Sequence, residues 1–272
     1  RFMIAHLQSG RYGENRILSE TTARMMYSPL FTNATGVSPM LHGFYEMDRN
    51  GEHLFGHSGT WPTWFTVLSL LPEHNAGFFV SYNCDTGRQA RSGFEKAFMD
   101  HYFPSPDIQE LKPARPVPVR LAQCAGEYSS LRRSFTTLTK LTAITGTINV
   151  WVDPEGYLVT TGIDDGTKKW VEVKPLLFQE VKGQQRLAFR ADGVGNITHL
   201  FRGHIPFFAF GKLRWYETPA FHNTVAKISL LVLLSALVVW PIVAFRARGR
   251  RTVQSPPRAA DLRQMAANLR QS

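Results

Sequence analysis

Residues 54 to 71 read LFGHSGTWPTWFTVLSLL, and the reading of this stretch decides what surrounds it. Residues 52–58 and 63–71 are rich in aromatic, aliphatic and Thr positions without helical spacing. A Gly-Thr-Trp-Pro corner splits them, which predicts two adjacent strands. In the second strand Trp64, Leu68 and Leu70 lie on one side and Phe65, Val67 and Leu71 on the other. Two apolar faces are the pattern of a strand held between two layers of helix. Gly56, His57, Ser58, Gly59 and Thr60 therefore sit where a buried strand reaches a turn. A rigid sheet aims functional groups at such a place, and glycine lets a ligand approach the backbone.

Working outward, residues 41–47 read as a strand, and Asp48-Arg49-Asn50-Gly51 as a hairpin turn into residues 53–58. Pro72-Glu73-His74-Asn75 turns the chain into a further strand over residues 77–83, so four strands joined by short turns form an antiparallel sheet. Residues 86–103 follow as a helix, with Ala90, Phe94, Ala97, Phe98 and Tyr102 at helical spacing. On the other side, a first helix stops at Gly10 and Ser19 caps a second, with Ala23, Met25 and Met26 inside it. Phe2, Met3 and Leu7 ask for a core that nothing upstream supplies, so the chain is expected to be a piece of a longer protein.

Residues 104–120 hold five prolines and few large apolar groups, the composition of a stiff linker. The expected organisation is a first domain over residues 1–103, that linker, and a small antiparallel β domain over residues 121–218. Strands in the latter are expected over residues 148–152 and 157–161 and near 169–174, 177–182, 186–191 and 196–202, with a short helix around residues 135–141. They make a small barrel or a curved sheet. Cys84 and Cys124 give no metal pattern; two separate thiols are the simpler reading, and one bridge is open outside the cytosol.

Residues 228–245 carry no charge, and residues 225–245 are expected to be a transmembrane helix, with Lys227 near enough to its end to reach the headgroups. The formal charge of +10 suggests nucleic acid until it is located: residues 246–272 hold seven Arg and one Asp, so residues 1–245 carry only +4. Arg246, Arg248, Arg250 and Arg251 follow the helix directly, which predicts a basic cytoplasmic tail and soluble parts on the outer, periplasmic side of the inner (plasma) membrane.

His57-Ser58-Gly59, together with RFMIAHLQSGRYGENRILS, the LHGFYEM strand and LLPEHNAGFFVSYN, resembles the carboxy-terminal part of the serine beta-lactamase-related family, the class C beta-lactamases and penicillin-binding protein-like hydrolases. The resemblance covers about residues 1–103. It implies an α+β fold, an antiparallel sheet flanked by helices on both sides, followed here by the small β domain and the membrane helix. It also implies acyl transfer through a serine that this chain lacks, since it has no Ser-x-x-Lys. On that resemblance His57 would hold a polar or anionic part of a substrate, Ser58 would hydrogen-bond the same end, Gly59 would admit its backbone, and the N–H of Thr60 would be an oxyanion donor. An ester, peptide or amide substrate is implied, and the chain alone is expected to be inactive. A non-catalytic penicillin-binding sensor or scaffold is the alternative. A G-x-S-x-G elbow with Ser58 as nucleophile fits less well, because Thr60 stands where glycine is needed and Trp61-Pro62 leads into a strand. No metal or cofactor is expected. The expected partners are a small-molecule or peptide substrate and a membrane, not nucleic acid.

Overall fold

The computed structural model describes residues 1–105, 110–140, 146–164, 166–251, 263–264 and 268–269. They form two compact units, Arg1–Arg214 and Trp215–Ser272. The first unit opens with α1 (Phe2–Leu7), a small hairpin of β1 (Arg11–Tyr12) and β2 (Asn15–Arg16), and α2 (Glu20–Met26). Ser19 caps α2 by accepting the amide of Thr22 at 3.1 Å. A sequential antiparallel sheet follows: β3 (Tyr45–Glu46), β4 (Phe55–Trp61), β5 (Trp64–Leu71) and β6 (Ala76–Asn83). Its pleat explains the two apolar sides of β5. Val67, Leu71 and Phe78 pack against Met99, Phe94 and Phe98 of α3 (Gly87–Tyr102), while Phe55 and Leu70 pack with Leu41, Phe44, Met3 and Tyr27 on the opposite face. Phe2, expected in a core, is 56% exposed.

The larger body of regular structure lies beyond α3. After α4 (Val119–Gln123) come β7 (Gly126–Ser130), β8 (Ile148–Val152), β9 (Leu158–Thr161), β10 (Lys168–Lys174), β11 (Leu177–Glu180), β12 (Arg186–Ala191), β13 (Ile197–Arg202) and β14 (Ala209–Lys212). All pair antiparallel with their neighbours, and β14 pairs back onto β7, closing an eight-stranded barrel. The expected fold class, a helix-flanked sheet of beta-lactamase or transpeptidase type with a small β domain appended, is corrected by this barrel. The sequence conceals the closure because GEYSS and AFGK each offer one large inward side chain, Tyr128 and Phe210, too few to mark a strand by alternation. Closure leaves no unpaired edge.

The barrel interior is packed. Trp170, Phe178, Leu200, Tyr128 and Phe189 fill it, and its two buried polar tips are satisfied: Trp170 Nε1 donates to Thr160 Oγ1 at 2.8 Å and the Tyr128 hydroxyl to the Cys124 carbonyl at 2.7 Å. It is a scaffold more than a container. Residues 31–40 strap the sheet to its outer wall: Val37 is buried against Leu177, Ala188 and Phe201, and the Ser38 amide donates to the Gly203 carbonyl at 2.7 Å. At Gly36, with φ +82°, a Cβ would lie 2.6 Å from Leu177, so the strap needs glycine to lie this close.

The two cysteines are separate thiols, Cys84 exposed and Cys124 buried. Of the helix expected around residues 135–141, Lys140 donates its amide to the Thr137 carbonyl at 3.0 Å, and residue 141 lies outside the described residues. Most of the basic tail over residues 246–272 also lies outside them.

The second unit is dominated by α5 (Pro219–Arg251). Thr218 accepts the Phe221 amide at 3.3 Å and Pro219 starts the helix, a favourable pairing because proline lacks the N–H that a first turn leaves unused. Residues Pro219–Arg248 are long and apolar enough to cross a membrane, and none of the apolar stretch is buried. At 1.5 Å per residue it exceeds the roughly 30 Å of a hydrocarbon core.

Candidate functional site

A cleft of about 870 Å³ opens between the sheet, α3 and the loop after β13. Tyr45, His57, Ser58 and Thr60 line it from the sheet, Arg88, Arg91 and Glu95 from α3, and Arg202, His204 and Phe207 from the barrel end. The register pairs Ser58 with Val67 and Thr60 with Phe65, so both hydroxyls stand on the face that α3 covers. His57 and Gly59 alternate to the other face. His57 is exposed and borders the cleft beside Tyr45, with ring centroids 5.5 Å apart.

Each hydroxyl is already engaged from behind. The Tyr45 phenol accepts the Ser58 amide at 2.9 Å and donates to Ser58 Oγ at 2.6 Å. Burial pushes that phenol up in pKa, ahead of the opposing bonds from Ser58, so it keeps its proton. Arg91 Nη1 donates to Thr60 Oγ1 at 3.2 Å, to the Gly59 carbonyl at 3.0 Å and to the Thr66 carbonyl at 3.2 Å. A hydroxyl has one donor and two acceptor positions, so Ser58 and Thr60, each accepting a bond here, keep their own protons for a ligand. Arg91 Nε is buried with no partner among the described residues. Glu95 lies near Arg91 and Arg49, yet burial is the larger influence and raises its carboxyl.

At the barrel end Arg202 binds Asp164 at 2.6 Å, and Lys168 reaches the same carboxylate at 3.2 Å. Burial pulls Asp164 upward, but the two cations win and hold it down at about 2. His204 is driven to about 3, by burial first and then by Arg202, so it is neutral near pH 7. A depressed carboxyl contributes stability above its unfolded pKa and loses it as pH falls through the folded value. Acid titration should therefore show a stability loss between about pH 4 and 2 that Asp164→Asn lacks, read by urea unfolding at each pH. An unchanged acid limb in Asp164→Asn would refute the assignment.

Elsewhere, the donor atoms of Glu46, Asp48 and His53 lie within 4.8 Å of one another, a spacing that suits a metal ion. Asp48 and His53 also bond each other at 3.1 Å, which accounts for their approach without one.

No protein-family model matches the chain, and no curated protein matches it. Several solved structures show a partial likeness, two of them as follows. One, titled "Crystal structure of SurE", has 14% sequence identity and a TM-score of 0.45 and covers 78% of this chain and 47% of that one. The other, titled "Crystal structure of SurE with D-Leu", has 15% identity and a TM-score of 0.42 and covers 72% and 44%. The chain thus spans about half the length of the structures it resembles. The family resemblance and the serine hydrolase activity with its penicillin-binding alternative are corrected: the closed eight-stranded barrel is not a helix-flanked sheet of that family, and no family model or curated protein supports it.

Of the four residues singled out in the sequence, the structure puts Ser58 and Thr60 side by side on the α3 face, and leaves His57 and Gly59 on the other. Sequence reasoning missed Tyr45, Arg91, Glu95, Arg202 and His204. Arg88, Arg91 and Glu95 recur at helical spacing on α3, a polar stripe that was open to recognition. Nothing in the local sequence points to Arg202 or His204, which reach the cleft from the end of β13 and the loop after it, where Ser38 ties the sheet side to Gly203.

Proposed function

We propose that the first unit binds a small ligand bearing an anionic oxygen group, a carboxylate or a phosphate, in the cleft beside Ser58 and Thr60. One observation carries this reading: both hydroxyls have an acceptor position filled from behind and so present donors to a cleft lined by Arg88, Arg91 and Arg202. His57 borders the same cleft and adds a further hydrogen-bonding group, and Gly59 supplies the carbonyl that fixes Arg91. The helix α5 is the membrane anchor of this binding module. Arg246, Arg248, Arg250 and Arg251 at its far end favour a cytoplasmic carboxy terminus and a binding unit on the outer side of the plasma membrane. A nucleic-acid partner is disfavoured, since residues 1–245 carry only +4.

Inorganic phosphate, citrate and N-acetylated amino acids are suitable probes, compared with a matched series of amines. The anions are expected to raise the melting temperature of the full chain, and Ser58→Ala/Thr60→Val should weaken their binding by about tenfold or more. Equal stabilisation of the double variant, or stabilisation by the amines alone, would contradict the reading.

A further inference from the structure

Immediately before the apolar helix, Trp215–Glu217 form a 3-10 turn whose aromatic side chains face solvent: Trp215 is 73% and Tyr216 40% exposed. A large exposed indole beside a polar tip is poorly served by water and well served by a headgroup region. The turn is locked onto the first turn of α5. The Thr218 hydroxyl donates to the Trp215 carbonyl at 2.9 Å while accepting the Phe221 amide at 3.3 Å. The Trp215 ring meets Tyr216 edge-on at 5.6 Å and Phe221 at 5.3 Å. The three rings therefore move with the helix.

From Phe221 to Phe245 the helix is roughly 37 Å long at 1.5 Å per residue, slightly more than the hydrocarbon thickness of a bilayer. Arg246 and Arg248 stand at one end and the aromatic cluster at the other. Lys227 lies under two turns inside Phe221, within reach of the same boundary for a side chain that extends its ammonium outward. We infer that Trp215, Tyr216 and Phe221 form an interfacial collar that seats in the lipid headgroup layer and fixes the depth of α5. The inference rests on α5 crossing the bilayer as proposed above, and goes further in naming the residues that set its register.

The test uses the full chain with Cys84→Ser, since Cys124 is buried with its thiol pushed up to about 12 and does not compete for a thiol-reactive label. A polarity-sensitive fluorophore is placed on Ala220→Cys or Leu233→Cys. Each labelled protein is put into phosphatidylcholine and phosphatidylglycerol vesicles whose lipids carry bromine either near the headgroup or near the chain end. The label at position 220 should be quenched about threefold more by the shallow bromine and the label at 233 by the deep one. Adding Trp215→Ala/Tyr216→Ala should cut the shallow preference at 220 by about half or more. Deep quenching at 233 with no quenching at 220, or an unchanged preference at 220 in the double variant, would overturn the collar while leaving the anchor intact. No deep quenching at 233 would remove the anchor and the collar with it.

Discussion

Trp170→Ala is expected to lower the stability of the first unit by about 3–5 kcal/mol, the range seen when a buried aromatic side chain is deleted from a core. Trp170 is 1% exposed and is among the largest fully buried side chains of the described residues. Its loss also strands the hydroxyl of Thr160, which is 0% exposed and accepts the indole N–H, and an unsatisfied buried group adds about 1–3 kcal/mol. For a unit of this size the melting temperature should drop by about 10 °C or more. Near-ultraviolet circular dichroism of the full chain in detergent would follow the transition. Trp170→Phe, which keeps most of the volume and gives up the hydrogen bond, should cost about 1–2 kcal/mol. A loss below about 1 kcal/mol for the alanine variant would mean that the barrel interior is not packed around this ring.

Gly56→Ala should be as damaging, for a different reason. A Cβ at this position would stand 1.9 Å from the Leu68 carbonyl oxygen and 2.7 Å from Met47 Cε. The oxygen belongs to the neighbouring strand β5 and cannot rotate away, so β4 and β5 must separate. We expect a loss of at least about 3 kcal/mol, together with loss of the anion response, because Gly56 pairs with Tyr45 and lies two residues from Ser58. Gly59→Ala is the control. There the added carbon would meet only the Thr66 side chain, its hydroxyl at 2.4 Å, which can turn aside, so the cost should be nearer about 1 kcal/mol. Equal melting temperatures for the two variants would show that backbone contact at Gly56 is not what holds the strands at this distance.

These two residues mark the limits of what reading the chain can do. The turn after Trp61, the apolar alternation of β5 and the spacing of Phe94 and Phe98 on α3 are local patterns, and each element lies close to where its pattern placed it. The same holds for α5, whose uncharged run needs no neighbour to be recognised. Gly56 looks like any other strand glycine until Leu68 is laid beside it. Closure of the barrel is similarly invisible, since β7 and β14 lie about eighty residues apart and their pairing leaves no local pattern.

By itself the sequence determined the positions of β4 to β6, of β8 to β13 and of α3 and α5, because hydrophobic periodicity and turn chemistry act over a few residues. It also marked Ser58 and Thr60 as groups at a strand end. Only the tertiary structure decided the closed barrel, the strap that joins it to the sheet, and the cleft itself. Tyr45 and Arg91 fill the hydroxyl acceptor positions of Ser58 and Thr60 from behind, while Arg202 and His204 arrive from the barrel end. Those contacts depend on long-range pairing and burial, and on the direction of each hydrogen bond, none of which has a local signature.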